Sequence, residues 1–222
     1  MGSDLKNTSF LEFYGLPGCG KSSVSHVVAS ALRQNGKSIS EPTYQIDHIS
    51  SPAKRKFKKI GSLILYFFSS PKACGTMMRQ IRKNGYKGKF VLSHAANLAP
   101  KLLAYNRAKN NYVLFDEGLT QSALSLSQNG KLPASENESV LYALCKNRPV
   151  KKIYLRVEKK EALRRMNDRA SNDSSIEKMQ APEERLAALS LWESSCESLS
   201  CDLIIESHDV TESATEVLQN LT

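Results

Sequence analysis

Gly15-Leu16-Pro17-Gly18-Cys19-Gly20-Lys21-Ser22 decides the reading of this chain, because it matches the pattern GxxxxGK[ST] in full. Just before it, Phe10 to Tyr14 is short, apolar and aromatic, as a β-strand is. Just after it, Val24, Val27, Val28, Ala31 and Leu32 follow the helical period between Ser22 and Gln34, and Asn35-Gly36 closes the helix. Strand, glycine-rich loop and helix in that order make a phosphate cradle. Glycines let backbone N–H groups approach an anion, and the helix aims its positive end at it. Lys21 adds a mobile cation for the β- and γ-phosphates, and Ser22 adds a hydroxyl for Mg²⁺. Gly15, Gly18, Cys19, Gly20, Lys21, Ser22 and Ser23 are the expected contacts of a nucleoside triphosphate, with Cys19 filling a variable position of the loop.

A phosphate loop of this kind needs a second carboxylate near the metal. Val113-Leu114-Phe115-Asp116-Glu117 offers one, since an apolar strand ending in Asp sets that carboxylate at the strand's C-terminal edge. Asp116 is thus the expected metal-side residue beside Ser22, and Glu117 either shares the work or caps the next helix. Further strands are expected at Lys37–Ser40, Tyr112–Phe115, Lys152–Val157 and Cys201–Ile205. Helices are expected at Leu119–Ser127, at Glu158–Arg169, from Pro182 through Trp192, and at Thr211–Leu221. Residues 50–109 are basic and mostly helical in pattern, and Gln128 to Ala134 reads as a loop. Strands alternating with helices imply a parallel sheet covered on both faces. No linker divides the chain, so residues 1–222 are read as one domain.

The 222 residues are 41% apolar and 24% charged, near globular averages. The longest apolar run, Leu63 to Phe68, falls far short of the roughly 20 residues a membrane span needs. The N-terminus lacks a basic-then-apolar signal pattern, and Lys6 stands where a myristoylation signal wants Ser or Thr. The expectation is a cytoplasmic protein. Cys19, Cys74, Cys145, Cys196 and Cys201 are scattered, without CxxC or zinc-like spacing, so reduced thiols are expected. The net charge is +9. It is densest at Lys54-Arg55-Lys56-Phe57-Lys58-Lys59, followed by Arg79, Arg82, Lys83, Lys87 and Lys89. Such a stretch is either a solvated helix face or the footprint of an anionic ligand.

Four places carry a resemblance. They are the loop itself; Glu41-Pro42 after the second strand; Asp116-Glu117-Gly118 after the third; and Ile153-Tyr154-Leu155-Arg156-Val157 followed by Arg164, Arg165 and Arg169. In these the chain resembles the P-loop nucleoside and nucleotide kinases, in particular the thymidylate kinase and deoxynucleoside kinase group, over most of its length. The resemblance implies a three-layer α/β P-loop NTPase fold with a mostly parallel five-stranded sheet. It also implies an arginine-bearing lid over 158–180 and an acceptor side over 50–109. The implied activity is ATP-dependent phosphotransfer with ATP and Mg²⁺. Glu41 would lie near the acceptor, as a general base, as a ligand of a substrate hydroxyl, or merely as a strand end. Asp47 and His48 are weaker candidates beside it. Arg165 and Arg169 are four apart and share a helix face, so they form the expected lid pair. Arg164 is in reserve, and all three also fit a solvated face paired with Glu161 and Asp168.

The sequence departs from that group where no arginine follows Asp116 or Glu117; Gly118 stands there instead. An anionic acceptor such as a nucleotide, a sugar phosphate or a nucleic acid 5′ end suits the local charge. Two other readings stay open. One is a polynucleotide 5′-kinase or nucleic-acid-binding NTPase that uses the basic stretch as a phosphate track. The other is a non-enzymatic, NTP-binding regulatory protein, although the guanine-reading Asn-Lys-x-Asp motif and the transporter ATPase signature are both absent.

Overall fold

The computed structural model describes residues 8–128, 130–145, 148–168, 176, 179 and 181–221. At its centre lies β1 (Ser9–Gly15), whose residues from Phe10 onward are all buried. A strand covered on both faces has no need of alternation, which is why Phe10-Leu11-Glu12-Phe13-Tyr14 reads as a nearly continuous apolar run. Four more strands join it in parallel: β2 (Ile39–Ser40), β3 (Tyr112–Phe115), β4 (Val150–Arg156) and β5 (Leu203–Glu206), in the order β2-β3-β1-β4-β5. Phe10 faces Val113 on one side and Val150 on the other, and Gly15 faces Leu155. The five-stranded parallel sheet expected from the sequence is therefore present.

The elements differ from expectation in particular places. β2 is two residues long because Ser38 bonds the Asn111 side chain through both its backbone N–H and its hydroxyl. After α1 (Lys21–Gln34) and β2, the short α2 (Pro42–Asp47) was not expected. The basic stretch resolves into α3 (Pro52–Ser69), α4 (Pro71–Lys83) and α5 (Lys89–Arg107); α3 and α4 each begin on a proline. Next come α6 (Leu119–Gln128) and α7 (Ala134–Ala143). The α7 helix shows no apolar period because its inward residues are polar. Asn137 meets Gln80 and Asn84, while Glu138 meets Thr120 and Lys152. The remaining helices are α8 (Lys159–Asn167), α9 (Pro182–Glu197) and α10 (Val210–Gln219).

Alternate residues of the strands feed two cores. Leu11, Phe13 and Leu114 pack with Val24, Val28 and Val217 on the side of α1 and α10. Phe10, Val113 and Phe115 pack with Met77, Ile81, Leu98 and Leu102 on the side of α4 and α5. This arrangement carries the basic helices on one face of the sheet.

Candidate active site

The glycine-rich loop connects β1 to α1, so it lies at the C-terminal edge of the central strand, where parallel sheets bind their ligands. Gly18 has φ 85°, and a Cβ there would come within 2.5 Å of the Ala162 carbonyl on α8. Loop and α8 thus touch backbone to backbone, which only glycine permits. Gly15 donates its N–H to Gln121 Oε1 at 3.1 Å, and the Ser207 hydroxyl donates to the Cys19 carbonyl at 2.6 Å. The N-cap of α1 is Gly20, without a side-chain cap, and the first turn holds no acid. Its positive end is left to an external anion. Lys21 is buried, and its ammonium donates to the Gly15 and Leu16 carbonyls at 3.2 and 2.9 Å and to Cys19 Sγ at 3.6 Å. These acceptors are neutral, so an anion in the loop can draw the charge from them. Capless helix end, close-packed glycine and a lysine held on dipoles together fit a polyphosphate.

Asp116 follows β3 at the same edge of the sheet and is buried, its Oδ1 accepting from the Thr43 hydroxyl of α2 at 2.5 Å. Glu41, also buried, pairs with His26 at 3.0 Å and with Arg33. Both partners lie on α1, so Glu41 ties α1 to the start of α2. A role as proton acceptor requires one of these partners to give way. Asp47 pairs with Lys59 at 2.9 Å, and His48 stacks on Tyr44, which stacks in turn on His26.

Two site residues escaped the sequence reading. Glu12, fully buried in β1, accepts from the Leu119 and Thr120 amides at 2.7 and 2.9 Å and from the Tyr105 hydroxyl. It, rather than Glu117, caps the amides that open α6. The signal was visible: an acid inside an apolar strand must find donors or stay out of the core. Its carboxylate also explains Gly118, where a Cβ would sit 2.1 Å from the Glu12 carboxyl carbon. No side chain can follow Glu117 there. The second missed residue is Lys101 of α5, buried, with its ammonium donating to Ser122 Oγ at 2.7 Å and to the Gly118 carbonyl at 3.4 Å. Burial lowers its pKa, and the charges of Glu117, Asp47, Glu12 and Asp116 oppose that shift. A cation absent from the sequence position after Asp116-Glu117 is therefore present there in space.

The arginines of α8 divide. Arg164 spans Glu161 and Asp168 on the exposed side. Arg165 turns inward: it bonds Glu161 at 2.7 Å, the Ser207 carbonyl at 3.0 Å and the His208 carbonyl at 2.9 Å. Ser207 in turn holds the loop at Cys19, so Arg165 reaches the loop through one residue. Arg169, its expected companion, lies outside the described residues. Among the cysteines, burial pushes the Cys196 thiol up to about 12 and raises that of Cys145 as well, which removes both as nucleophiles.

No protein-family model matches the chain, and no curated protein does. Solved structures do. A deoxyadenosine kinase from M. mycoides with bound dATP superimposes at a TM-score of 0.55 and 17% identity, covering 96% of this chain and 98% of that one. Shikimate kinase from Bacteroides thetaiotaomicron gives 0.53 at 14% identity over the same shares. Shikimate kinase from Acinetobacter baumannii in complex with shikimate gives 0.50 at 15% identity, over 98% of this chain and 94% of that one. The fold is that of the P-loop kinases. At such identities the likeness speaks for the fold, and the site must speak for the chemistry. Among the described residues no helix is long and apolar enough to cross a membrane, and no cluster of three His, Cys, Asp or Glu could hold a metal by itself.

Proposed function

We propose that the chain is an ATP-dependent phosphotransferase that moves the γ-phosphoryl group of ATP to a small anionic acceptor. The observation that carries this reading is the cradle with Lys21, set at the same sheet edge as the buried Asp116 and the buried Lys101. The loop amides and Lys21 would hold the polyphosphate. Ser22 and Asp116 would hold Mg²⁺, which when bound neutralises charge on the phosphate oxygens. An acceptor oxygen would bond to the γ-phosphorus as the bridge to the β-phosphate breaks, leaving ADP. Its proton would pass to Glu41, once His26 or Arg33 gives way. Lys101 would attract the acceptor's negative group, and Arg165 would steady the charge on the transferred group from the α8 side. Thymidylate kinase-like acceptors fit this charge, as do sugar phosphates.

The test is a panel of nucleosides, nucleotides, sugar phosphates and oligonucleotides incubated with γ-labelled ATP and Mg²⁺. Label is expected on one small anionic acceptor. Label on oligonucleotide ends alone would make the chain a polynucleotide kinase. Tight ATP binding with no labelled acceptor would make it a regulatory protein.

A further inference from the structure

One stretch of the molecule has a composition unlike the rest. From His48 to Phe115 the chain carries fourteen of its 31 lysines and arginines and none of its 22 acids. The remainder of the chain, with more acids than bases, is acidic. The carboxylate-free stretch forms α3, α4 and α5, which lie on one face of the sheet, and the strand β3.

Large apolar side chains lie exposed on the same helices. On α3, Phe57 is 75% and Phe68 is 76% exposed, with Ile60, Ile64 and Phe67 exposed between them. At about 100° per residue these five fall within roughly 100° of the helix circumference. Tyr66, the buried residue of α3, lies roughly 150° from the middle of that stripe. The stripe therefore points away from Tyr66, through which α3 meets the core, and faces outward. Lys54 and Lys58 flank the outward stripe on one side and Lys56 on the other, all three exposed. Where α3 meets α4, Leu63, Ile64, Phe67, Phe68, Cys74 and Met78 line an open apolar groove of about 210 Å³. Exposed Phe90 and Leu92 near the start of α5, with Lys87 and Lys89, repeat the mixture of apolar and cationic side chains.

We propose that the outward face of α3 docks on an anionic lipid bilayer. An apolar stripe edged by lysines is what an interfacial helix needs. The stripe enters the acyl boundary, while the lysine stems extend along it and keep their ammonium groups among anionic headgroups. The absence of carboxylates over 68 consecutive residues removes repulsion from such a surface. A second copy of the chain fits less well, since a two-fold contact centred on the stripe would lay Lys54, Lys56 and Lys58 against the far end of the other copy's α3, where no acid stands to pair with them. A nucleic acid would pair with the cations and could stack bases on Phe57, Phe67 and Phe68, but it would leave Ile60, Ile64 and the apolar groove beside α4 uncovered. Docking of this kind needs no spanning helix, and none is found among the described residues.

The test is co-sedimentation of the full chain with vesicles of phosphatidylserine mixed into phosphatidylcholine, and with phosphatidylcholine alone. Binding is expected to the mixed vesicles and to weaken as salt rises. The triple variant Lys54→Ser, Lys56→Ser, Lys58→Ser should bind about 100-fold more weakly, at about 5-fold per lysine near an anionic surface. The double variant Phe57→Ser, Phe68→Ser should lose about 10-fold or more. These side chains are exposed, so both variants should melt and bind ATP as the parent does, which separates docking from folding. Equal binding to pure phosphatidylcholine would overturn the proposal, as would variants that sediment like the parent. A failure to sediment would also overturn it, whether a short DNA oligonucleotide is captured instead or the parent is a dimer that Phe57→Ser, Phe68→Ser makes monomeric.

Discussion

The loop half of the site and the half that faces it are built in opposite ways. One continuous stretch, Gly15 to Ser22, carries the cradle, its cation and its hydroxyl, and the strand and helix around it are its own neighbours in sequence. The facing half is assembled from Glu12 in β1, Glu41 and Thr43 around α2, Lys101 in α5 and Asp116 to Gly118 after β3. Local chemistry is enough to form the first, whereas only the completed fold brings the second together. Each half should therefore fail differently when cut.

The largest effect belongs to the loop. Lys21→Ala should lower phosphotransfer by about 1,000-fold, since it removes a positioned cation from the developing charge. Its partners are loop carbonyls and a thiol, so the melting temperature should stay within about 2 °C. Steady-state kinetics beside a thermal melt check both; retained activity would place the chemistry elsewhere. In the facing half the residue to cut is Glu12, and the effect moves from rate to stability. Glu12→Leu strips the acceptor from two amides and the Tyr105 hydroxyl in the core, and should lower stability by about 3 kcal/mol in urea unfolding. Unchanged stability would mean that α6 finds another cap.

The same contrast governs what could be read from the sequence. Strand β3 was legible to the residue, and β1 and α1 within one residue, because apolar period and punctuation agree there. The fold followed from them. Helix α7 was not legible, since Asn137 and Glu138 turn inward and erase the period. Within the site, Asp116 could be placed at the sheet edge because it directly follows the apolar strand. Lys101 could not: it is one of fourteen cations in an acid-free stretch, and only the packing of α5 on α6 singles it out. The missing arginine after Glu117 is plain in the sequence, but its cause, the Glu12 carboxyl beside Gly118, crosses 106 positions of sequence.

Lys101 therefore gives the next test of the facing half. Lys101→Met keeps the stem and removes the charge. It should raise KM for the anionic acceptor about 10-fold and leave KM for ATP alone, with stability unchanged or improved, because a buried cation without a carboxylate in contact costs desolvation. An equal rise in both KM values would assign Lys101 to general architecture instead.

The smallest effects separate two adjacent arginines on α8. Arg165, bound to Ser207 and through it to the loop, should cost several-fold in turnover when changed to Ala, while Arg164→Ala should change it less than about 2-fold. Both hold Glu161: hydrogen bonds from Arg164 first, then Arg165, lower its pKa to about 2. The folded value lies below the ordinary carboxylate value of 4.5, so the stabilisation is complete above that value and lost as pH falls through 2. Because the group is solvent-exposed, the loss is small. Between pH 5 and pH 2 the parent should lose about 2 °C more in melting temperature than Glu161→Gln, which has no such pairing to lose. Equal acid slopes would show that the pairing contributes nothing to the seat of α8 against Gly18. The separation of Arg165 from Arg164 would then rest on turnover alone.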